Sequence, residues 1–314
     1  MFDCHSDLLT YVYTNKENVN FLKKLFKEIY NENNIIGGIF NLFFMSPKEM
    51  HDELGIKEDK IDVIEMLKNV DIILKTNALL DSSINYIYGI EGLDYLNKIS
   101  DIDVLHKLGV RSVNIVWNNE NKFGGGAKAN YNCGLTLQGI ELVNKLVEKN
   151  IAIDLSHAND KTFSDIIKQC KRLRAGGNEP IVLASHSNVR NICNHPRNLT
   201  DEQIKQIKEF EGIIGIVGIK KFCVSGNKDN YKQAYLENIN YIRNLLGGTE
   251  NICVASDEMR YYAKVDKNTI STNVFTLETM KKELNELLYN YTQEEREGII
   301  TNNFIEKILS KIKE

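Results

Sequence analysis

The sequence carries MFDCHSD at residues 1–7, which places a histidine and an aspartate two positions apart, at His5 and Asp7. In a β-strand, side chains two residues apart point to the same side, so this stretch is predicted to be a strand that presents two ligands to one metal ion. Four later apolar runs also end in a histidine or a carboxylate. They are YGIE at 88–91, IDLSH at 153–157, VLASH at 182–186 and CVASD at 253–257.

Strand-like and helix-like segments alternate along the chain, and this alternation predicts the fold. The predicted strands are 1–6, 35–44, 84–90, 111–117, 151–156, 181–185, 213–218 and 252–256. Apolar residues at helical spacing lie between them, at 17–32, 59–79, 136–149, 160–172, 200–210 and 231–246. Eight strand and helix repeats are typical of an α/β protein with a (β/α)8 TIM barrel. The segment 274–314 is predicted to add C-terminal helices outside the barrel.

Nothing in the composition indicates a second domain. The chain has only three prolines in 314 residues and no Ser/Gly-rich linker, so residues 1–314 are predicted to form a single domain. The longest irregular stretch, 118–132, contains Gly124, Gly125 and Gly126 and follows the fourth predicted strand. It is predicted to be either a lid over the active-site face or a plain connecting loop.

The histidines and carboxylates that end the strands are predicted to meet at one face of the barrel. In this fold, the C-terminal ends of the strands carry the chemistry. Three of the six histidines occupy such positions, at His5, His157 and His186. The other three, His51, His106 and His195, are expected to be surface residues.

These ligand types predict a pair of metal ions. Neutral imidazoles together with carboxylates suit divalent first-row ions, and zinc is the default for such a set. Glu91 stands alone on its strand, between the two groups of ligands in sequence, and is the candidate bridge. The predicted sets are His5, Asp7 and Glu91 for one ion, and Glu91, His157 and His186 for the other. Such a pair can activate a water and polarise a carbonyl.

Composition excludes several other classes of protein. The chain is 42% hydrophobic and 26% charged, which is typical of a globular protein. Its net charge of -4 gives no basic surface for nucleic acid, so no nucleic-acid partner is expected. The six cysteines form no CxxC pair, and no apolar run approaches the ~20 residues of a membrane span. No secretory leader precedes the first ligand pair, so a cytoplasmic protein without a membrane partner is expected.

Seven short motifs resemble those of the membrane (renal-type) dipeptidases, the M19 metallopeptidases of the amidohydrolase-like barrels. They occur in the family's order, at DCHSDLL 3–9, GIEG 89–92, LTLQG 135–139, IDLSH 153–157, ASHS 184–187, NHPRNLTD 194–201 and ASD 255–257. Asn302-Asn303-Phe304 also resembles the Gly-Asn-Phe segment near the C-terminus of these proteins.

This resemblance implies a dinuclear zinc dipeptidase that hydrolyses short peptides, including those with a C-terminal D-residue. It assigns the same five zinc ligands, makes Asp257 the acid/base, and makes Arg197 the contact for the substrate carboxylate. A bidentate grip on a carboxylate would also explain an arginine beside an acidic metal site. A homodimer is a further possibility, because dimers are common in the family.

Three positions depart from the family's pattern around the substrate. Trp117 replaces a substrate-facing histidine of animal members, the eighth strand continues as Asp257-Glu258-Met259-Arg260, and the loop after strand seven reads GIKKF at 218–222. Two alternatives therefore stay open. One is an amidohydrolase acting on another amide or ester, such as an N-acyl amino acid, a β-lactam, a cyclic imide or a phosphoester. The other is a metal-stabilised barrel without catalysis.

Overall fold

The β-strands of the protein run parallel and lie side by side in a ring. The computed structural model describes residues 1–32, 35–44, 61–129, 133–225, 230–257 and 273–312. Within these ranges the strands are β1 (Phe2–Ser6), β2 (Gly37–Phe43), β3 (Asn85–Glu91), β4 (Val110–Asn114), β5 (Ala152–Asp154), β6 (Val182–Leu183), β7 (Ile214–Val217) and β8 (Ile252–Ala255). The eight predicted strands are all confirmed.

Two sheets make up the ring. One contains β1 to β6 in sequence order, and the other pairs β7 with β8. A parallel bridge between Ala184 and Ile214 joins β6 to β7. The ring closes where Asp257 donates its N–H to the carbonyl oxygen of His5 at 3.1 Å. The predicted (β/α)8 barrel is therefore confirmed. This joining of the first and last strands supports our proposal that residues 1–314 form one domain.

Helices cover the outside of the strands. Within the described ranges they are Leu8–Thr14, Val19–Phe26, Val63–Thr76, Ile102–Lys107, Leu137–Glu148, Asp160–Ala175, Asp201–Glu209, Lys220–Cys223, Tyr231–Leu246, Leu277–Leu287, Gln293–Glu297 and Ser310–Ile312. Wider π-helical turns occupy Lys27–Glu32, Gly298–Asn302 and Ile305–Leu309, and a 3-10 turn occupies Ile99–Asp101. The predicted C-terminal helices are confirmed.

Some of the sequence motifs are helix starts. The Thr136 side chain accepts a hydrogen bond from the Gly139 N–H at the start of Leu137–Glu148. Thr200 and Gln203 form a reciprocal capping box at the start of Asp201–Glu209. Such caps satisfy backbone N–H groups that have no partner within the helix. These motif residues therefore position the outer helices.

The C-terminal Asn-Asn-Phe segment closes the end of the barrel opposite to the ligands. The Asn303 side chain donates to the carbonyl oxygens of Thr249 (2.7 Å) and Ile252 (2.8 Å), where β8 begins. The ring of Phe304 stacks on that of Phe2, with 4.3 Å between the ring centroids. Both aromatic rings are fully buried, so the last helices complete the core under β1 and β8.

Most strands are shorter than predicted, and in two cases the reason is visible. The 151–156 and 181–185 segments leave the sheet after Asp154 and Leu183. The N–H groups of Ser156 and Ser185 then donate to the Asp154 carboxylate, each at 3.0 Å, instead of continuing a strand ladder. The chain is thereby released from the sheet just before His157 and His186. The 111–117 segment likewise leaves its strand after Asn114.

Candidate metal centre

The five predicted metal ligands lie together at the C-terminal ends of the strands. His5 is within β1 and Asp7 follows it, Glu91 is the last residue of β3, and His157 and His186 follow β5 and β6. All five side chains are buried, with at most 7% of any of them exposed. The structure therefore brings the five residues together, and their role as metal ligands stays a prediction.

Glu91 lies between two groups of ligand atoms. Its Oε2 is 3.4 Å from the Nε2 of His5, and this nitrogen is also 3.5 Å from Oδ1 of Asp7. Its Oε1 is 2.8 Å from the Nε2 of His157 and 3.3 Å from the Nε2 of His186. Oε2 thus faces His5, and Oε1 faces His157 and His186, an arrangement that suits a bridging carboxylate; one ligand atom each from His5, Glu91 and His186 also lies within 4.8 Å of the others.

Hydrogen bonds to the second ring nitrogen orient the three histidines. The Nδ1 of His157 lies 3.0 Å from Oδ1 of Asn118, an oxygen that can only accept. The hydroxyl oxygen of Ser185 lies 2.9 Å from the Nδ1 of His5 and 2.8 Å from the Nδ1 of His186. The Asn118 oxygen requires a proton on Nδ1 of His157, and with a proton on Nδ1 of His186 as well, both rings turn the lone pair of Nε2 toward the cluster, as metal-binding histidines do. At His5, Nδ1 also lies 3.1 Å from the side-chain NH2 of Asn41, which can only donate.

The chemistry of this cluster fits a divalent cation. Burial lowers the pKa of His157 to about 3 and holds the pKa of His186 well below its usual range, so both rings are neutral. Their Nε2 atoms are nevertheless only 2.9 Å apart and face one carboxylate oxygen. The Nε2 of His5 is buried and, among the described residues, makes no hydrogen bond. Lone pairs that converge in this way repel one another unless a cation lies between them.

Two buried aspartates fix the strand ends that carry the ligands. Asp154 receives the N–H groups of Ser156 and Ser185, which precede His157 and His186 in the sequence. Asp3 receives the N–H of Ser256 at 2.9 Å and the N–H of His5 at 3.2 Å. Each carboxylate therefore joins neighbouring strands at the point where a candidate site residue emerges.

Asp257 borders the His5 side of the cluster. One ligand atom each from His5, Asp7 and Asp257 lies within 4.8 Å of the others. Burial raises the pKa of Asp257 to about 7, and the negative charges of Asp7 and Glu91 add to the rise. Its φ of 44° lies in the left-handed region, as does that of His157 at 71°. Such backbone strain in residues other than glycine is typical of functional sites.

Arg197 and Trp117 lie on the other sides of the cluster. Arg197 is 5% exposed, burial lowers its pKa to about 10, and the charges of Glu91 and Asp257 counteract that effect. Among the described residues, its guanidinium makes no hydrogen bond. The indole of Trp117 stacks on the His157 ring, with 5.7 Å between centroids and 27° between planes. Trp117 therefore lies beside the cluster, where its indole contacts the His157 ring.

The predicted position of His195 on the surface is wrong. Its ring is partly buried against Phe222, with 4.6 Å between ring centroids. Its Nδ1 accepts the backbone N–H of Arg197 at 3.1 Å, so it helps to hold the turn that presents the arginine. His106 is also partly buried, and His51 lies outside the described residues.

The loop 118–132, predicted to be a lid or a connecting loop, is held next to the site by close contacts between backbone atoms. A Cβ atom on Gly126 would lie 2.0 Å from the carbonyl oxygen of Trp117, so only glycine fits there. The N–H of the next residue, Ala127, donates to the carbonyl oxygen of His157 at 2.7 Å. Residues 130–132 of this loop lie outside the described residues, and a role as a lid stays a prediction.

Comparison with known sequences places the chain in a family. The sequence profile of the family described as membrane dipeptidase (peptidase family M19) matches residues 1–314. The chain belongs to the M19 membrane dipeptidase family. The resemblance inferred from the motifs is thus confirmed. Membership of the family also confirms the expectation that the protein is an M19 metallopeptidase.

Individual relatives of this M19 protein are distant. An uncharacterised protein in the PQQ-III 3' region of Acinetobacter calcoaceticus is 32% identical over 154 residues, which is 45% of each chain. The chain spans about half the length of the curated relatives it matches. Among solved structures, a dipeptidase AC of family M19 has a TM-score of 0.72 at 19% identity, with 98% of this chain and 97% of that chain covered.

A metallopeptidase from Rhodobacter sphaeroides, solved with a phosphinate mimic of the dipeptide L-Ala-D-Ala, has a TM-score of 0.74 at 20% identity. The match covers 98% of both chains. At these identities, the two structures show that the barrel fold is shared. Although the family is named for membrane dipeptidases, no helix among the described residues is long and apolar enough to cross a membrane.

Proposed function

We propose that this M19 protein is a zinc-dependent dipeptidase with two metal ions. The observation that carries the proposal is the position of Glu91, whose two oxygens face separate ligand groups at 3.4 Å and 2.8 Å. His5, Asp7 and Glu91 would hold one ion, and Glu91, His157 and His186 the other. The Rhodobacter sphaeroides metallopeptidase, which shares the fold, was solved with a dipeptide mimic, and this supports a dipeptide as the substrate.

The metal ions would supply Lewis acidity, which activates a water molecule and polarises the amide carbonyl of the substrate. The residues of the chain supply the remaining parts of the reaction. Arg197 would bind the terminal carboxylate of the dipeptide and so fix the amide bond relative to the ligand cluster, since a guanidinium matches a carboxylate in two parallel hydrogen bonds. Trp117, stacked on His157, would shape the pocket without binding metal.

Asp257 would transfer the proton. An amide nitrogen departs poorly as an anion, so cleavage requires a group that takes a proton from water and gives it to that nitrogen. The Asp257 carboxylate lies beside His5 and Asp7, within 4.8 Å of their ligand atoms. It is therefore close to the ligand cluster, where water would be activated, and can act as both base and acid.

Metal analysis and an assay test this proposal together. Protein reconstituted with zinc should contain about two ions per chain and hydrolyse dipeptides with free C-termini. Glu91→Gln should lower the occupancy of both sites, because the substituted amide has one carbonyl oxygen in place of two charged ones. If the unaltered protein is folded but retains one ion or none after reconstitution with zinc, the dinuclear site is refuted. A protein with two ions that hydrolyses no dipeptide would refute the proposed substrate.

The cytoplasmic location and the homodimer expected from the sequence stay predictions. We also infer that zinc is the metal, since imidazole and carboxylate ligands are the usual zinc set. Comparing zinc, manganese and cobalt at equal occupancy would test that inference.

A further inference from the structure

Three basic side chains surround one aromatic ring at the edge of the candidate site. Phe222 lies in the short helix Lys220–Cys223, which follows β7. The Cζ of Arg197 is 5.7 Å from the centroid of its ring, and the Nζ of Lys221 is 5.0 Å from it. The His195 ring packs against Phe222 as well. Lys221 is thus on the same side of the barrel as the arginine proposed to bind the substrate.

Lys128 adds a further cation from the loop after β4. Its backbone N–H donates to the carbonyl oxygen of Asn118 at 2.7 Å, and its neighbour Ala127 bonds to the carbonyl of His157. Burial lowers the pKa of His195 to about 4. The charges of Lys221, Arg197 and Lys128 contribute to this lowering of the pKa. These three cations therefore lie near enough to act on one imidazole, in a part of the site that is strongly positive.

Neither lysine has a carboxylate partner among the described residues. Some basic side chains elsewhere in the fold are paired, as Lys75 is with Asp71, Lys145 with Asp103, and Arg190 with both oxygens of Asp160. Lys128 and Lys221 are exposed at the edge of the site and form no such pair.

The local balance of charge exceeds what one substrate carboxylate would neutralise. The acidic charge that acts on Lys221 is that of Asp257, while Lys128 and Arg197 oppose it. A terminal carboxylate on Arg197 would leave two lysine charges beside it. Such an excess of one sign in a concave site attracts ligands of the opposite sign.

We propose that Lys128 and Lys221 form a second anion subsite, which selects dipeptides with aspartate or glutamate as the C-terminal residue. This inference rests on the proposed dipeptidase function. Because Arg197 would hold the α-carboxylate of the second residue, groups next to Arg197 face the side chain of that same residue. Lysine suits this task, since its flexible stem can bring a point charge to carboxylates of different length.

A matched panel of substrates tests the subsite. Zinc-reconstituted protein should be assayed with alanyl-alanine, alanyl-asparagine and alanyl-aspartate, and with the glutamine and glutamate pair, each with the second residue in L and D form. We expect kcat/KM for aspartate to exceed that for asparagine by about 10-fold or more, as for a hydrogen bond to a charged group. The ratio should fall as salt is raised, because the lysines are exposed to solvent.

Two single variants, the double variant and a control variant distinguish the subsite from a general effect of charge. Lys128→Met and Lys221→Met should each lower the aspartate-to-asparagine ratio, and the double variant should bring it close to one. Lys68→Met is the matched control, since Lys68 is exposed on the outer helix Val63–Thr76; its ratio should equal that of the unaltered protein.

Two outcomes would overturn the inference in distinguishable ways. If alanyl-alanine is hydrolysed but aspartate gives no advantage over asparagine, or if the double variant keeps the ratio, the subsite is refuted and the dipeptidase function stands. If protein with two metal ions hydrolyses no member of the panel, the proposed function fails, and the subsite fails with it.

Discussion

Replacing Ser185 by alanine should weaken both metal positions, although its neighbour His186 belongs to only one of them. The Ser185 side chain is fully buried, and its hydroxyl oxygen lies 2.9 Å from one ring and 2.8 Å from the other. These rings belong to His5 and His186. A hydroxyl oxygen has two lone pairs, so it can accept the Nδ1 protons of both rings at once.

The expected loss of metal affinity depends on which neighbours each imidazole ring would keep at Nδ1. His5 keeps a second neighbour that holds its ring in place, the Asn41 side-chain NH2 at 3.1 Å from Nδ1, although this group can only donate. Within the described part of the chain, His186 keeps no other side-chain partner at Nδ1. Loss of such an orienting hydrogen bond typically weakens metal binding by about 10 to 100-fold, or about 1.4 to 2.7 kcal/mol. We expect Ser185→Ala to approach the upper value at the His157 and His186 position and the lower value at the other.

Chelator competition measures this prediction directly, because it gives a dissociation constant for each metal position without reference to turnover. Ser187→Ala is the control, since its hydroxyl is also buried but makes no hydrogen bond among the described residues. Imidazole nitrogen NMR adds a second readout, in which Ser185→Ala should lose the uniform Nδ1 protonation of the two rings. Unchanged constants at both positions would refute the reasoning. An equal loss in Ser187→Ala would assign the effect to packing.

Three other residues give separate tests. Asp257→Asn should fold and bind both ions but lose kcat by about 10²- to 10⁴-fold; near-normal turnover would exclude it as the proton-transfer group, and an empty metal position would make it a ligand. Arg197→Ala should raise KM for dipeptides with free C-termini, and the fall in kcat/KM should correspond to about 2 to 3 kcal/mol. Amidated analogues should change little. An equal loss of kcat/KM for both kinds of substrate would assign Arg197 a structural role. The pKa of His195, lowered to about 4 mainly by burial, lies below the ordinary ~6.5 of an unfolded chain. Its neutral ring therefore stabilises the fold fully above pH ~6.5, and that contribution is lost as the pH falls toward 4. As the pH falls through this range, the Tm of His195→Gln should decrease less than the Tm of the unaltered protein. Identical profiles of Tm against pH would contradict this.

The ligand cluster could be predicted from the sequence because two regularities act together. Parallel strands of a barrel end at one face, so residues at strand ends meet even when they are far apart in the chain. His5 and Glu91 were found in this way, as the ends of separate apolar runs. The pairing of each Glu91 oxygen with a different ligand group also followed from the order of the ligands, since Glu91 stands between them in sequence.

The residues that orient the ligands could not be found by the same search. Ser185 contacts a histidine 180 residues away, and nothing in local periodicity marks a hydroxyl for that role. Asn118 belongs to a loop that the sequence showed only as irregular. His195 was expected on the surface because it does not end a predicted strand, whereas its contact with Phe222 depends on the loop after β7.

The ligands and their orienting groups come from different parts of the barrel. The candidate ligands come from the ends of β1, β3, β5 and β6, while Asn41 lies within β2 and Asn118 follows β4. The Oδ1 of Asn118 can accept from Nδ1 of His157, and the side-chain NH2 of Asn41 faces Nδ1 of His5. Asparagine suits both positions because its amide can either accept or donate a hydrogen bond without adding charge. A search for histidine and carboxylate therefore identifies candidate ligands but overlooks the neutral side chains that determine which nitrogen of each histidine faces the cluster.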